Sequence, residues 1–146
     1  MFQLGRQINA VSSPTTTATW VSLKDASTIT WLAVGSSGTT NITFQVAKDA
    51  AGTSAVNFDG AANHGDGVTT YWTQHSGLWT KTTQAAANTV PTTSAAGDIT
   101  AVEIDTKQLP SGYAYINASH ATATLVAVLG DLVTQRSPEK LIAPTV

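Results

Sequence analysis

The sequence contains no cysteine. Disulfides, thiolate metal sites and cysteine nucleophiles are therefore excluded, and the fold must stand on packing alone. Charge is scarce: Asp, Glu, Lys and Arg make up 11% of the 146 residues, against roughly 25% in an average globular chain. Glu occurs only at Glu103 and Glu139, which leaves little for the paired carboxylates of glycoside chemistry. The net charge is −2, with no basic cluster, whereas nucleic-acid binding leaves a strongly positive footprint. No nucleic-acid partner is expected. Weak net charge also gives little long-range repulsion between copies, which permits self-association. No run is long and apolar enough to span a bilayer, so no membrane partner is expected. The opening Met1-Phe2-Gln3-Leu4-Gly5-Arg6 lacks the basic and apolar regions of a secretory signal. The expectation is a protein made and used in a cytoplasm, or assembled there into something larger.

What replaces charge is Thr, at about one residue in six. Its β-branch is stiff and its hydroxyl tolerates water, so it suits pleated, half-exposed surfaces. Asn41–Lys48 carries the cleanest alternation: Ile42, Phe44 and Val46 on one side, Thr43, Gln45 and Ala47 on the other. A period of two marks a half-buried strand. Thr28–Val34 repeats the pattern with Ile29, Trp31 and Ala33, and a hairpin between these two segments is expected. Further strands are expected at Trp20–Leu23, Val68–Gln74, Leu78–Thr83, Ile99–Asp105, Tyr113–Ser119 and Thr122–Val133. The last is almost continuously apolar, as in a central strand covered on both faces, and Gly130 is a candidate bulge or bend. Ala85–Asn88 reads as a helical turn, Asp49–Gly67 as a long loop with room for a short strand, and Thr89–Gly97 as a loop. Leu109-Pro110-Ser111-Gly112-Tyr113 reads as an inter-sheet crossing with Tyr113 as a tyrosine corner.

Together these predict an all-β protein, a β-sandwich or jelly roll of about eight short strands with extended N- and C-terminal arms. The domain layout is residues 1–17 as an N-terminal arm or edge strand, 18–135 as the sandwich, and 136–146 as a C-terminal arm. The closing segment holds Pro138 and Pro144 yet carries Leu141, Ile142 and Val146. An arm docked on a neighbouring subunit is the expectation, with prolines lowering its ordering entropy; the alternative is a disordered end.

Candidate chemistry is thin. Asp59, Asn63, His64 and Asp66, with His75 beyond, offer oxygen ligands in a Gly-rich loop. The spacing is not that of a calcium loop, and no Glu closes it; Asp, Asn and Gly are also ordinary turn residues. His64, His75 and His120 lack any zinc-binding spacing. No GxSxG nucleophile turn is present. No catalytic residue, cofactor or metal site is therefore assigned, and an enzyme is not expected. His120 reads as a turn residue between two strands. Asn41-Ile42-Thr43 and Asn117-Ala118-Ser119 match the glycosylation pattern and, without a signal, read as chance. Of the four Trp residues, Trp31 alternates with Ile29 and reads as core. Trp72 and Trp79 flank a short turn and serve either cross-strand packing or an interface. The candidate interface residues are Phe2, Leu4, Ile8, Trp72, Trp79, Leu141, Ile142 and Val146.

Several segments, taken in order, carry a resemblance. They are Leu4-Gly5-Arg6-Gln7-Ile8, Trp20-Val21-Ser22-Leu23-Lys24, Thr43-Phe44-Gln45-Val46-Ala47-Lys48-Asp49 with Gly52-Thr53, the stretch from Trp79 to Thr89, Val102-Glu103-Ile104-Asp105, and the closing apolar strand with its Pro-containing tail. This order resembles the decoration, or cement, proteins found beside the major capsid protein in tailed-bacteriophage heads. The resemblance implies a virion protein without chemistry, on the capsid surface and assembled in the host cytoplasm. It would bind the outside of the shell, often as a homotrimer, and bridge neighbouring capsomers. Two rivals remain. One is another virion component, at the head–tail joint or on the tail. The other is a carbohydrate-binding β-sandwich using Trp72, Trp79 or Tyr71 as a stacking platform.

Overall fold

β-Branched and aromatic residues at period two build every long strand of this chain, and the buried member of each pair sets the inner face. In the computed structural model, residues 9–13, 20–35, 40–92 and 97–133 are described. They form eleven strands and one short 3₁₀ turn, with no α-helix among the described residues. The strands are β1 (Asn9–Ser13), β2 (Val21–Ser22), β3 (Ala26–Val34), β4 (Asn41–Ala47), β5 (Val56–Asn57) and β6 (Val68–His75). After them come β7 (Leu78–Ala87), β8 (Thr89–Pro91), β9 (Ile99–Asp105), β10 (Tyr115–Ser119) and β11 (Thr124–Leu132), with the 3₁₀ turn at Thr106–Gln108. The chain is all-β, as its Thr-rich, charge-poor composition requires. The three strands beyond the expected eight are β1, β5 and β8; β5 and β8, the latter where a loop was expected, have two and three residues, too few to show a period.

Two antiparallel sheets form the sandwich. The larger has the order β1-β11-β3-β9-β6-β7, the smaller β2-β10-β4-β5, with β8 also paired to β4. Their inner faces interdigitate to make the core. In the larger sheet Ile29, Ile104 and Leu129 share one register row, and Trp31, Val102 and Ala127 the next. Ile42, Phe44 and Val46 of β4 with Ile116 and Ala118 of β10 complete the same buried cluster. Trp31 and Phe44 are its largest fully buried aromatics, with Phe58 dropped in from the loop after β5.

Several expectations are corrected. The hairpin between β3 and β4 does not form: β3 lies between β11 and β9, while β4 belongs to the other sheet. Alternation marks which face is buried but not which sheet will own the strand, and both edges of β3 are already taken. Ala85–Ala87 continues β7 rather than forming a helical turn. At Asn88 the chain passes from the larger sheet into β8 of the smaller, and the Asn88 carbonyl accepts from Phe44 N at 2.8 Å; this pairing overrides the helix preference of Ala. Strand β11 is not covered on both faces, since Leu125, Ala127 and Leu129 are buried while Val126 and Val128 are only half-buried. Gly130 makes no bulge: it keeps register with Thr28, and a Cβ there would meet Thr28 Oγ1 at 2.6 Å.

The inter-sheet crossing after β9 is where it was expected, because Leu109–Tyr113 separates β9 of one sheet from β10 of the other. Asp105 caps the 3₁₀ turn, accepting from Lys107 N while the Gln108 side chain accepts from Asp105 N. Tyr113 is not a tyrosine corner. Its hydroxyl donates to the Ser54 carbonyl at 3.2 Å, pinning the long loop rather than the crossing, and Lys48 Nζ lies 5.4 Å from the ring centroid. For the N-terminal segment, β1 pairs with β11 as an edge strand; the rest of 1–17 and the whole of 136–146 lie outside the described residues.

Candidate functional site

The β6–β7 hairpin is where the expected interface residues meet the structure. Its two-residue turn, Ser76-Gly77, has φ of +49° and +83°. Positive φ at both positions is the twist-matched hairpin turn, which Gly makes without strain. The pair His75 and Leu78 closes it. Beyond the turn, β7 is the outer edge of the larger sheet. Leu78 and Trp79 are 74% and 54% exposed, and every residue from Leu78 to Lys81 is exposed, so both faces of the tip are open. Natural edges are usually blunted by charge, proline, shortness or a bulge. Here Leu78–Thr83 carries one charge, Lys81, and runs in unbroken register with Thr70–His75. The register then shifts, and Gln84 folds its side chain into the irregularity, donating from Nε2 to the carbonyls of Val68 (3.0 Å) and Thr89 (2.9 Å).

Trp72 and Trp79 lie on one face of this hairpin. Trp72 pairs with Lys81 and Trp79 with Gln74, so the two tryptophans are diagonal neighbours, near enough for large side chains to interact. Their face is the outer face of the larger sheet. Register extends it across four strands: Trp72, Ala101, Leu32 and Val126 form one continuous row. Ile99 and Val34 pair in the adjacent row on one side, and Thr30 and Val128 on the other. An antiparallel sheet with a solvated outer face normally alternates to polar residues there. On the smaller sheet the corresponding face carries Thr43, Gln45, Asn57 and Ser119, together with buried Asn117, Tyr115 and Ala47. Tyr71 points inward and is 8% exposed, so it is no part of an exposed stacking platform. Phe2, Leu4, Ile8, Leu141, Ile142 and Val146 lie outside the described residues.

The polar residues of the Gly-rich loop are used in building it. Asp59 Oδ1 accepts from Ala61 N (3.0 Å) and lies 2.9 Å from His64 Nδ1. The Ala61 N–H, helped by His64, holds the Asp59 carboxyl below its ordinary range. Asp66 N donates to Gln108 O, and Gly65 sits where a Cβ would meet that carbonyl at 2.6 Å and the Phe58 ring at 2.7 Å. A cleft of about 420 Å³ between this loop and the crossing is lined by Asn63, Asp66, Gln108 and Tyr113, among others, and offers one carboxylate. Among the described residues no three His, Asp or Glu side chains come together to hold a metal. His75 is drawn away to Asp98, with Nδ1 2.9 and 3.0 Å from its two oxygens.

His120 is more than a turn residue: it is 3% exposed. Its Nδ1 accepts from Thr122 N (3.1 Å) and Ala123 N (2.8 Å), which leaves the proton on Nε2. Nε2 lies 2.7 Å from Thr40 Oγ1 and 3.0 Å from Thr92 Oγ1. It ties the turn before β11 to the segments flanking β4 and β8. Burial pushes its pKa down.

No family model, curated protein or solved structure matches this chain.

Proposed function

We propose that the chain is a structural protein of a tailed-phage head, binding the outside of the capsid and bridging neighbouring capsomers without chemistry of its own. The observation that carries this reading is the β6–β7 hairpin. It presents exposed Leu78 and Trp79 at the tip of an edge strand open on both faces. Aromatic side chains at a projecting position are efficient anchors, because they bury a large area for few rotatable bonds. The free edge of Leu78–Thr83 adds a row of backbone groups able to pair with a strand of a partner. On this reading the partner is the major capsid protein, and the protein self-associates as a homotrimer around a symmetry point of the shell. Many copies on one shell act together, so each contact need not be strong. The resemblance of the ordered segments, from Leu4-Gly5-Arg6 through Val102-Glu103-Ile104-Asp105, supports the same reading.

The test is binding of purified protein to expanded, undecorated shells. Leu78→Ser/Trp79→Ser is expected to lower occupancy at least tenfold while circular dichroism and thermal midpoint stay unchanged. Full occupancy by that variant would remove the hairpin from the contact. Copy number then separates the virion roles: hundreds per particle by quantitative mass spectrometry for decoration, a dozen or fewer for a head–tail joint.

One observation favours a second reading, a carbohydrate-binding module. Trp72 and Trp79 share an outer face as diagonal neighbours, an arrangement suited to stacking on a sugar ring. Hits on a glycan array, lost in Trp79→Ala, would move the assignment there.

A further inference from the structure

The outer edge of the larger sheet is open to a further strand, and its own residues select which. We propose that this edge, residues 78–83 of β7, pairs antiparallel with the same segment of a second copy, across a two-fold axis at Thr80. The two-residue turn sets the phase of the backbone. His75 and Leu78 flank it and exchange hydrogen bonds, and pairs then alternate along the hairpin. Leu78, Thr80 and Thr82 therefore direct their N–H and C=O groups to β6. Trp79, Lys81 and Thr83 turn theirs outward, where β7 has no further strand beside it among the described residues. The approach is open on both faces. Trp79 and Lys81 share the outer face with Trp72, Leu78 and Thr80 point to the other side, and all of Leu78–Lys81 is exposed. The smaller sheet thus does not reach over this edge.

A two-fold contact is self-complementary, so the choice of axis fixes every pair. With Lys81 on the axis, two lysines face each other, and like charges directly opposite destabilise a ladder. With Leu78 or Trp79 on the axis, the turn Ser76-Gly77 is drawn into the ladder. With Thr82 or Thr83 on the axis, Gln84 and the irregularity after Thr83 are drawn in. With Thr80 on the axis, each Trp79 lies opposite Lys81 of the second copy. Both residues present outward backbone groups, so each such pair exchanges its hydrogen bonds. On the outer face the Lys81 ammonium comes beside an indole, the best aromatic partner for a cation. On the other face Thr80 meets Thr80, and Leu78 meets Thr82. One contact thus covers both large exposed side chains of the tip, Leu78 and Trp79. The net charge of −2 sets little repulsion against it. This pairing goes beyond the capsid reading, because it needs no shell and adds a two-fold link to copies held by any other contact.

The absence of cysteine gives a clean test on the free full chain. Thr80→Cys puts a thiol on the axis, where facing Cα atoms lie about 4.5 Å apart, within the disulfide range of about 4.4–6.8 Å. Thr83→Cys is the control, exposed on the same edge but far from its own copy across the axis. Disulfide-linked dimer under a mild oxidant is followed on non-reducing gels. Thr80→Cys is expected to cross-link about tenfold faster than Thr83→Cys. Adding Lys81→Pro should abolish the difference with circular dichroism unchanged, because it removes an outward N–H and leaves the β6 ladder intact. A mixture of Leu78→Cys and Thr82→Cys chains should form the mixed dimer faster than either chain links to itself, which serves should Thr80→Cys fail to fold. Equal rates for Thr80→Cys and Thr83→Cys, a rate indifferent to Lys81→Pro, or a mixture no faster than its parts would each overturn the proposal and leave the edge to a strand of another protein. No shell enters the measurement, so its failure and a failure to bind shells are separate results.

Discussion

Acid weakens this fold through His120, and the size of the effect follows from its surroundings. Protonation would place a hydrogen on Nδ1, which already faces the N–H groups of Thr122 and Ala123. Burial adds to the penalty, so the folded-state pKa lies below the ordinary 6.5. In the window between that lowered value and 6.5 the unfolded chain binds more protons than the folded one. Stability is then complete above about pH 6.5 and falls as the pH drops through that window. The slope is at most about 1.4 kcal/mol per pH unit. Urea denaturation at pH 7.5 and 5.5 measures it, and His120→Gln corrects for every other group. Gln keeps an acceptor and a donor but does not titrate; it is expected to cost about 1–3 kcal/mol at pH 7.5 by misplacing them. The parent should lose more stability than the variant between the two pH values, by no more than about 1.4 kcal/mol. Asp49 and Asp59, lowered from 3.8, titrate below this range. An equal loss in both proteins, or a parent that gains stability on acidification, would refute a buried neutral His120.

Other outcomes follow from single contacts. Phe44→Ala, at a fully buried position facing the larger sheet, is expected to cost about 3–5 kcal/mol in urea denaturation. Gln84→Ala removes the donor to two carbonyls at the β7 irregularity and should cost about 1–3 kcal/mol, with faster amide exchange confined to the ends of β6 and β7. Gly65→Ala must displace Gln108 or Phe58 from a left-handed position, so a loss of about 1–3 kcal/mol is expected from its thermal midpoint. Trp79→Ser, at an exposed tip, should change stability by less than about 0.5 kcal/mol while weakening partner binding.

The strands were legible wherever alternation ran for seven residues or more. Ile42, Phe44 and Val46, or Ile29, Trp31 and Ala33, announce their buried face in sequence and keep it in the fold. What alternation does not contain is a partner, which is why β3 and β4 looked like a hairpin and belong to different sheets. Pairing is decided by which edges remain free after the other strands have docked. Trp72 and Trp79 were visible as a pair flanking a turn. The continuity of their face with Ala101, Leu32 and Val126 was not, because those residues come from four segments brought together only by register. His120 carried no local signal at all. Its partners Thr40 and Thr92 are 80 and 28 residues away.

Composition and period two by themselves determined an all-β chain with a Thr-clad, cysteine-free sandwich, since both are local properties of the residues. The apolar closing strand read from sequence as covered on both faces, and it is not. Only the tertiary structure decided where its apolar residues go. It put Leu125, Ala127 and Leu129 into the core and left Val126 and Val128 on an outer apolar face, because a sheet has two sides and a two-layer sandwich covers only one of them.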